Sequence, residues 1–128
     1  MNIDINNYIV RNNQNEWQPL IEKGIRYHGI SIISLRFDET KQRSTTILLK
    51  FDPGTTYPYH NHPGGEEIFV LNGEAILENV ILSQGDYLYT PVNFKHSVTT
   101  QKGCTLLFVV PEEVEILKTN KIFKNEKN

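Results

Sequence analysis

From Ile25 to Val110 the chain reads as short runs in which apolar and polar positions alternate, each closed by a turn signal. Ile25 to Phe37 is β-rich, with an interruption at Gly29, and the polar Asp38–Gln42 reads as a hairpin turn. Arg43 to Phe51 alternates, placing Ile47, Leu49 and Phe51 on one face and Lys50 on the other. Asp52-Pro53-Gly54 is a turn in which proline fixes φ and glycine supplies the unusual backbone angle. Glu67 to Leu71 is a strand expected to end in a two-residue hairpin at Asn72-Gly73, with Glu74 to Leu82 returning from it. Strands are then expected at Tyr87–Thr90, Lys95–Thr99 and Cys104–Val110, separated by turns at Pro91–Asn93 and Gln101–Gly103 and stopped by Pro111. No helical period longer than two turns precedes Glu112. The pattern predicts an all-β sandwich or barrel over residues 16–117. It is preceded by an arm or edge strand at 1–15 and followed by a polar tail at 118–128 that is expected to be disordered.

Composition narrows the function classes. At 128 residues the chain is one domain with a core of useful size. Thirteen basic and 15 acidic residues give a net charge of −2, which provides no basic face for nucleic acid. A single cysteine rules out an internal disulfide framework and suits a reducing cytoplasm. The N-terminal residues lack a leader pattern, and no apolar stretch reaches transmembrane length, so a soluble cytoplasmic protein with no membrane partner is expected.

The chemistry gathers at Tyr59-His60-Asn61-His62-Pro63-Gly64-Gly65-Glu66 and, about thirty residues on, at His96. His60 and His62 share a strand face because side chains alternate with period two, and the Pro63-Gly64-Gly65 turn brings Glu66 back toward them. His96 arrives from a separate strand. Three neutral imidazoles and a carboxylate at one point are ligands that a divalent transition metal prefers. Parity from these residues sends Ile68, Val70, Phe94 and Val98 inward, to line a narrow apolar cavity with Tyr89 at its mouth. Neither arginine nor lysine is expected at inward parity near the ligands. Glu67, Phe69 and Leu71 take the opposite parity and read as surface or interface. His28 has no ligand partner in sequence and reads as exposed, while Cys104, in an apolar strand, reads as a small buried hydrophobe. Trp17 is expected to cover a barrel end, and Tyr57, Tyr59 and Tyr87 to pack as aromatics.

The spacing Gly54-x5-His60-x-His62-x3-Glu66-x6-Gly73, followed by Gly85-x5-Pro91-x-Asn93-x2-His96, resembles the two motifs of the cupin superfamily. The second motif departs twice: Asn93 stands where glycine is usual, and Thr100 where asparagine is common. Asparagine tolerates a left-handed backbone best among non-glycine residues, so the turn before His96 should survive. The run from His60 to Gly73, with Trp17-Gln18-Pro19-Leu20 upstream and Gly103-Cys104 downstream, is similar to the cupin domain of ChrR-type anti-sigma factors. The resemblance implies a jelly-roll barrel (double-stranded β-helix) and one divalent metal, whether Zn, Fe, Mn or Ni, on His60, His62, Glu66 and His96. It also implies a homodimer and a small-molecule partner in a sensing or binding role. The alternative it implies is a non-haem metal-dependent dioxygenase acting on a small dicarbonyl-like compound, although acetylacetone-cleaving cupins usually lack the ligand that Glu66 supplies. A metal-dependent sugar isomerase or epimerase is a third reading, weakened by the missing cations. Those anti-sigma factors grip their partner through a separate N-terminal helical zinc domain. The residues before Trp17 are too few to form one, so sigma-factor binding by that route is not expected.

Overall fold

The computed structural model describes residues 3–117. Ten strands follow a single 3₁₀ turn at Ile5–Tyr8: β1 (Gln18–Glu22), β2 (Ile25–Asp38), β3 (Arg43–Phe51), β4 (Thr56–Asn61), β5 (Glu66–Leu77), β6 (Val80–Ser83), β7 (Tyr87–Thr90), β8 (Lys95–Thr99), β9 (Cys104–Val109) and β10 (Glu115–Ile116). All pairings are antiparallel. The ladder runs β1-β2-β3-β9-β5-β8-β4-β10, with β6 and β7 also on β5. The sheet therefore curls on itself, as the jelly-roll expectation requires. No helix among the described residues is long and apolar enough to cross a membrane.

The inward faces supply the core. On β5, Ile68, Val70, Ala75 and Leu77 are buried, and they pack with Leu49 and Phe51 of β3, Val98 of β8 and Leu106 and Phe108 of β9. Each such side chain withdrawn from water stabilises the fold by roughly 1.5–3 kcal/mol. Glu67, Phe69 and Leu71 alternate outward and are exposed, as their parity requires.

Two local expectations are corrected. Asn72-Gly73 makes no hairpin: β5 runs on through it, with a bulge between Val70 and Asn72, and passes from pairing with β9 to pairing with β6 and β8. The hairpin falls at Glu78-Asn79 instead, where both residues have positive φ (50° and 66°), the geometry of a tight two-residue turn. Gly73 serves the sheet change. Its φ is +78°, and a Cβ there would stand 2.2 Å from the Gly103 carbonyl oxygen, so β9 can approach only a bare backbone. Trp17 does not cap a barrel end. Its ring lies under the Lys50 ammonium, 4.8 Å from Nζ, beside Ile33, Leu35 and Leu48 on the outer face of β2 and β3. The arm forms a 3₁₀ turn and no strand among its described residues, and the tail at 118–128 lies outside them.

Gly73→Ala should cost about 2–3 kcal/mol in urea unfolding, because strain and a backbone clash add. Gly85→Ala, where φ is +90° and a Cβ would meet no atom within 4 Å, should lose only about 1 kcal/mol. Equal losses would show that the strand crossing at Gly73 is not tight.

Candidate metal centre

His60 sits on β4 directly opposite His96 on β8. His62 follows just past the end of β4, and a turn closed by the Gly65 amide donating to the His62 carbonyl (3.1 Å) returns the chain to Glu66 at the start of β5. Gly65 has φ +76°, and a Cβ there would press on the Thr90 carbonyl at 3.0 Å, so the turn depends on glycine. The same His62 carbonyl accepts the Asn93 amide at 2.7 Å. Asn93 has φ 67°, the left-handed conformation expected of it, and its side chain accepts a bond from Asn61 Nδ2 at 3.2 Å. His62 is thus held by both motif turns. Thr100, the other departure, is buried and ties its turn together: its hydroxyl donates to the Glu74 carbonyl (2.7 Å) and accepts from the Gly103 amide (2.9 Å).

The side chains of His60, His62, His96 and Glu66 are all buried. One ring nitrogen from each histidine lies within 4.8 Å of the others. The ring centroids are 4.4–5.0 Å apart and the rings meet edge to face. His60 Nδ1 donates to the Pro58 carbonyl at 2.6 Å and His62 Nδ1 to the Phe94 carbonyl at 2.8 Å, which leaves each Nε2 as the unprotonated, ligating nitrogen. Glu66 Oε1 stands 3.2 Å from His62 Nε2 and 3.5 Å from His96 Nε2. Despite these short distances, all three atoms are buried without a hydrogen-bond partner. Buried polar atoms left unpaired in this way cost about 1–3 kcal/mol each. A cation held among them satisfies all three at once, so the donor set fits a divalent metal.

The electrostatics agree in direction. Burial pulls His60 down to about 4, so it stays neutral. Burial also pulls His62 down, but the adjacent Glu66 carboxylate outweighs this and leaves its pKa raised. Glu66 is pushed up by burial, yet the facing His62 and His96 more than compensate and hold it below the usual carboxylate range. Glu66 is therefore an anion at neutral pH.

A cavity of about 60 Å³ opens beside His60 and Glu66. Of the residues expected to line it, only Val98 does so; Ile68 and Val70 point inward but are wholly buried in the core beyond it. Tyr89 is 58% exposed, because Glu66 pairs with Thr90 across β5 and β7, which leaves Tyr89 opposite the outward Glu67. Phe94 is 46% exposed in the turn before β8, its ring 6.1 Å from that of His96 on the side away from this cavity. The tyrosine at the site is Tyr57. Its ring meets His60 edge-on at 4.9 Å, and its hydroxyl donates to Glu22 Oε1 at 2.6 Å. Tyr57 and His60 differ in parity, yet both are buried because β4 bulges between them at Pro58, adding one residue relative to β8. A proline inside a strand run was the signal for it. The expected lack of an inward cation is also corrected, because Arg43 lines the cavity at the start of β3. Glu67 and His28 are exposed and outside the site.

A jelly-roll barrel with three histidines and a glutamate gathered inside it defines a cupin. The chain belongs to the ChrR cupin-like family: the family model described as "ChrR Cupin-like domain" matches residues 6–115. The DNA damage-repair/toleration protein DRT102 of Arabidopsis thaliana is 30% identical over 64 residues, which are 45% of this chain and 21% of that protein. The chain thus aligns with about a fifth of that relative's length. Among solved structures, an RmlC-like cupin from Ralstonia eutropha superposes with a TM-score of 0.70 at 16% identity, covering 83% of this chain and 69% of that one. An acetylacetone dioxygenase from Acinetobacter johnsonii gives 0.70 at 14% identity, over 88% of this chain and 77% of that one. At such identities these two structures establish the shared fold.

Cys104 is buried, and burial raises its thiol to about 11 despite a partly offsetting contact with Thr100. At about pH 8 only roughly one thiol in a thousand is then ionised. Labelling by a disulfide reagent should run at least about 100-fold slower in the folded protein than in urea. Comparable rates would place Cys104 at an accessible, activated position.

Proposed function

We propose that this chain is a metal-binding cupin whose single divalent transition ion, held by His60, His62, Glu66 and His96, presents an open coordination position to a small molecule in the adjoining cavity. The observation that carries this reading is the set of three buried, unpaired atoms, with Glu66 Oε1 3.2 Å from His62 Nε2 and 3.5 Å from His96 Nε2. Three imidazoles and one carboxylate leave one or two positions free on a five- or six-coordinate ion, and His60 and Glu66 both face the cavity. The small volume there favours compact ligands over phosphorylated sugars.

A second reading, metal-dependent dioxygenase chemistry on a small dicarbonyl-like compound, draws on the same cavity. Its mostly apolar wall, with Leu49, Phe51, Val98 and Phe108, would shield a redox-active ion from bulk water. The likeness to an acetylacetone dioxygenase is compatible with this reading at the level of fold. When bound, iron in such a site would supply the redox chemistry, while the chain would hold the ion and exclude water.

Protein purified without chelator or affinity metal should contain about one equivalent of a divalent transition metal by mass spectrometry. His62→Ala, which removes the ligand that both turns support, should retain less than about a tenth of it. Metal-free protein that cannot be reconstituted would contradict the proposal. Oxygen uptake with acetylacetone by the iron-loaded protein would select the second reading, and no uptake with a range of small dicarbonyls would leave the binding role alone.

A further inference from the structure

We propose that Arg43 is the specificity-determining residue of the cavity, an anchor for the carboxylate of a short-chain acid whose other end reaches the metal. The inference rests on the metal-binding reading above and names the ligand class of the same site. Arg43 shares the inward face of β3 with Thr45, Ile47 and Leu49, and it lines the cavity with His60 and Glu66. The Val110 amide donates to the Thr45 carbonyl at 2.8 Å, while Glu67 pairs with Val109 and Val109 with Thr46. Thr45, Val110 and Glu66 therefore stand at neighbouring positions of adjacent strands. Arg43 Nη1 donates to the Val110 carbonyl at 2.6 Å, which holds the guanidinium at the end of β9, the strand next to the one that carries Glu66.

A guanidinium carries five N–H donors in a rigid fork, and the contact to Val110 uses one. Among the described residues no carboxylate forms an ion pair with Arg43. Three carboxylates line the same cavity, and none pairs with Arg43: Glu66 belongs to the metal centre, Glu22 accepts the Tyr57 hydroxyl, and Glu113 pairs with Lys23 at 3.5 Å. The free edge of a half-buried guanidinium beside an apolar wall matches a carboxylate, which it can grip with two parallel hydrogen bonds. A cavity of about 60 Å³ limits the body of the ligand to a few carbons. A 2-oxo acid satisfies both ends, with its carboxylate toward Arg43 and its carbonyl oxygen free to reach a metal ion. This class differs from the neutral dicarbonyl and the sugar considered from sequence, and it follows from a cation that the strand pattern had seemed to exclude.

The test uses pyruvate and its neutral methyl ester as probes, titrated calorimetrically into the full chain after metal loading, with Arg43→Gln and Arg43→Lys variants. Metal content is measured in each sample. Pyruvate should bind the parent protein, weaken at least about tenfold in Arg43→Gln and fall between the two in Arg43→Lys, while methyl pyruvate and metal content stay unchanged. Normal metal content with no pyruvate binding, with unchanged affinity in Arg43→Gln, or with equal weakening of acid and ester would overturn the carboxylate anchor and leave the metal centre standing. Absence of metal from the parent protein would overturn the metal centre, and this inference with it.

Discussion

A carboxylate buried inside a β-barrel is the constraint on which the rest of this structure depends. Glu66 is 3% exposed and holds its negative charge, which in an apolar interior costs several kcal/mol unless a countercharge lies against it. His62 and His96 provide that partner only in part, since their Nε2 atoms lie 3.2 and 3.5 Å from Glu66 Oε1 without a hydrogen bond to it. The arrangement is satisfied when a cation takes the place between them. Much of the local architecture serves to hold these groups still: the glycine turn before Glu66, the left-handed Asn93, and the two carbonyls that fix the His60 and His62 rings.

The same constraint shapes the cavity. Because β4 bulges at Pro58, Tyr57 turns inward three residues before His60 and links the site to Glu22 on β1. Arg43 lines the cavity from β3 and Val98 from β8. The site is therefore assembled from strands on both sides of the curled sheet, which couples its geometry to closure of the barrel. A small volume lined by one cation and apolar walls beside a candidate metal centre is a selective combination, and it bears on ligand class more directly than the fold does.

Much of this was legible in the sequence, and the failures have physical causes. Period-two alternation located β3 to the residue, and the proline, glycine and asparagine turns around them located β7 and β8. The histidine and glutamate positions followed from spacing across a short turn. Asn72-Gly73 misled because a glycine that admits a neighbouring backbone reads like a glycine that makes a hairpin, and only the position of β9 tells them apart. Tyr89 misled because its parity is set by pairing with Glu67 on another strand, and Tyr57 was missed because a bulge shifts parity without changing composition. Arg43 was legible in its own strand, since it shares parity with Ile47 and Leu49, but its distance from the ligands in sequence hid how close β9 brings it to them.

X-ray absorption spectroscopy of the metal-loaded protein at the metal edge tests the shared coordination point most directly. Scattering from three imidazoles and at least one oxygen, all at about 2.0–2.2 Å, is expected for an ion held by His60, His62, His96 and Glu66. One imidazole or none, or a sulfur neighbour near ~2.3 Å, would place the metal elsewhere and contradict the site described for this fold.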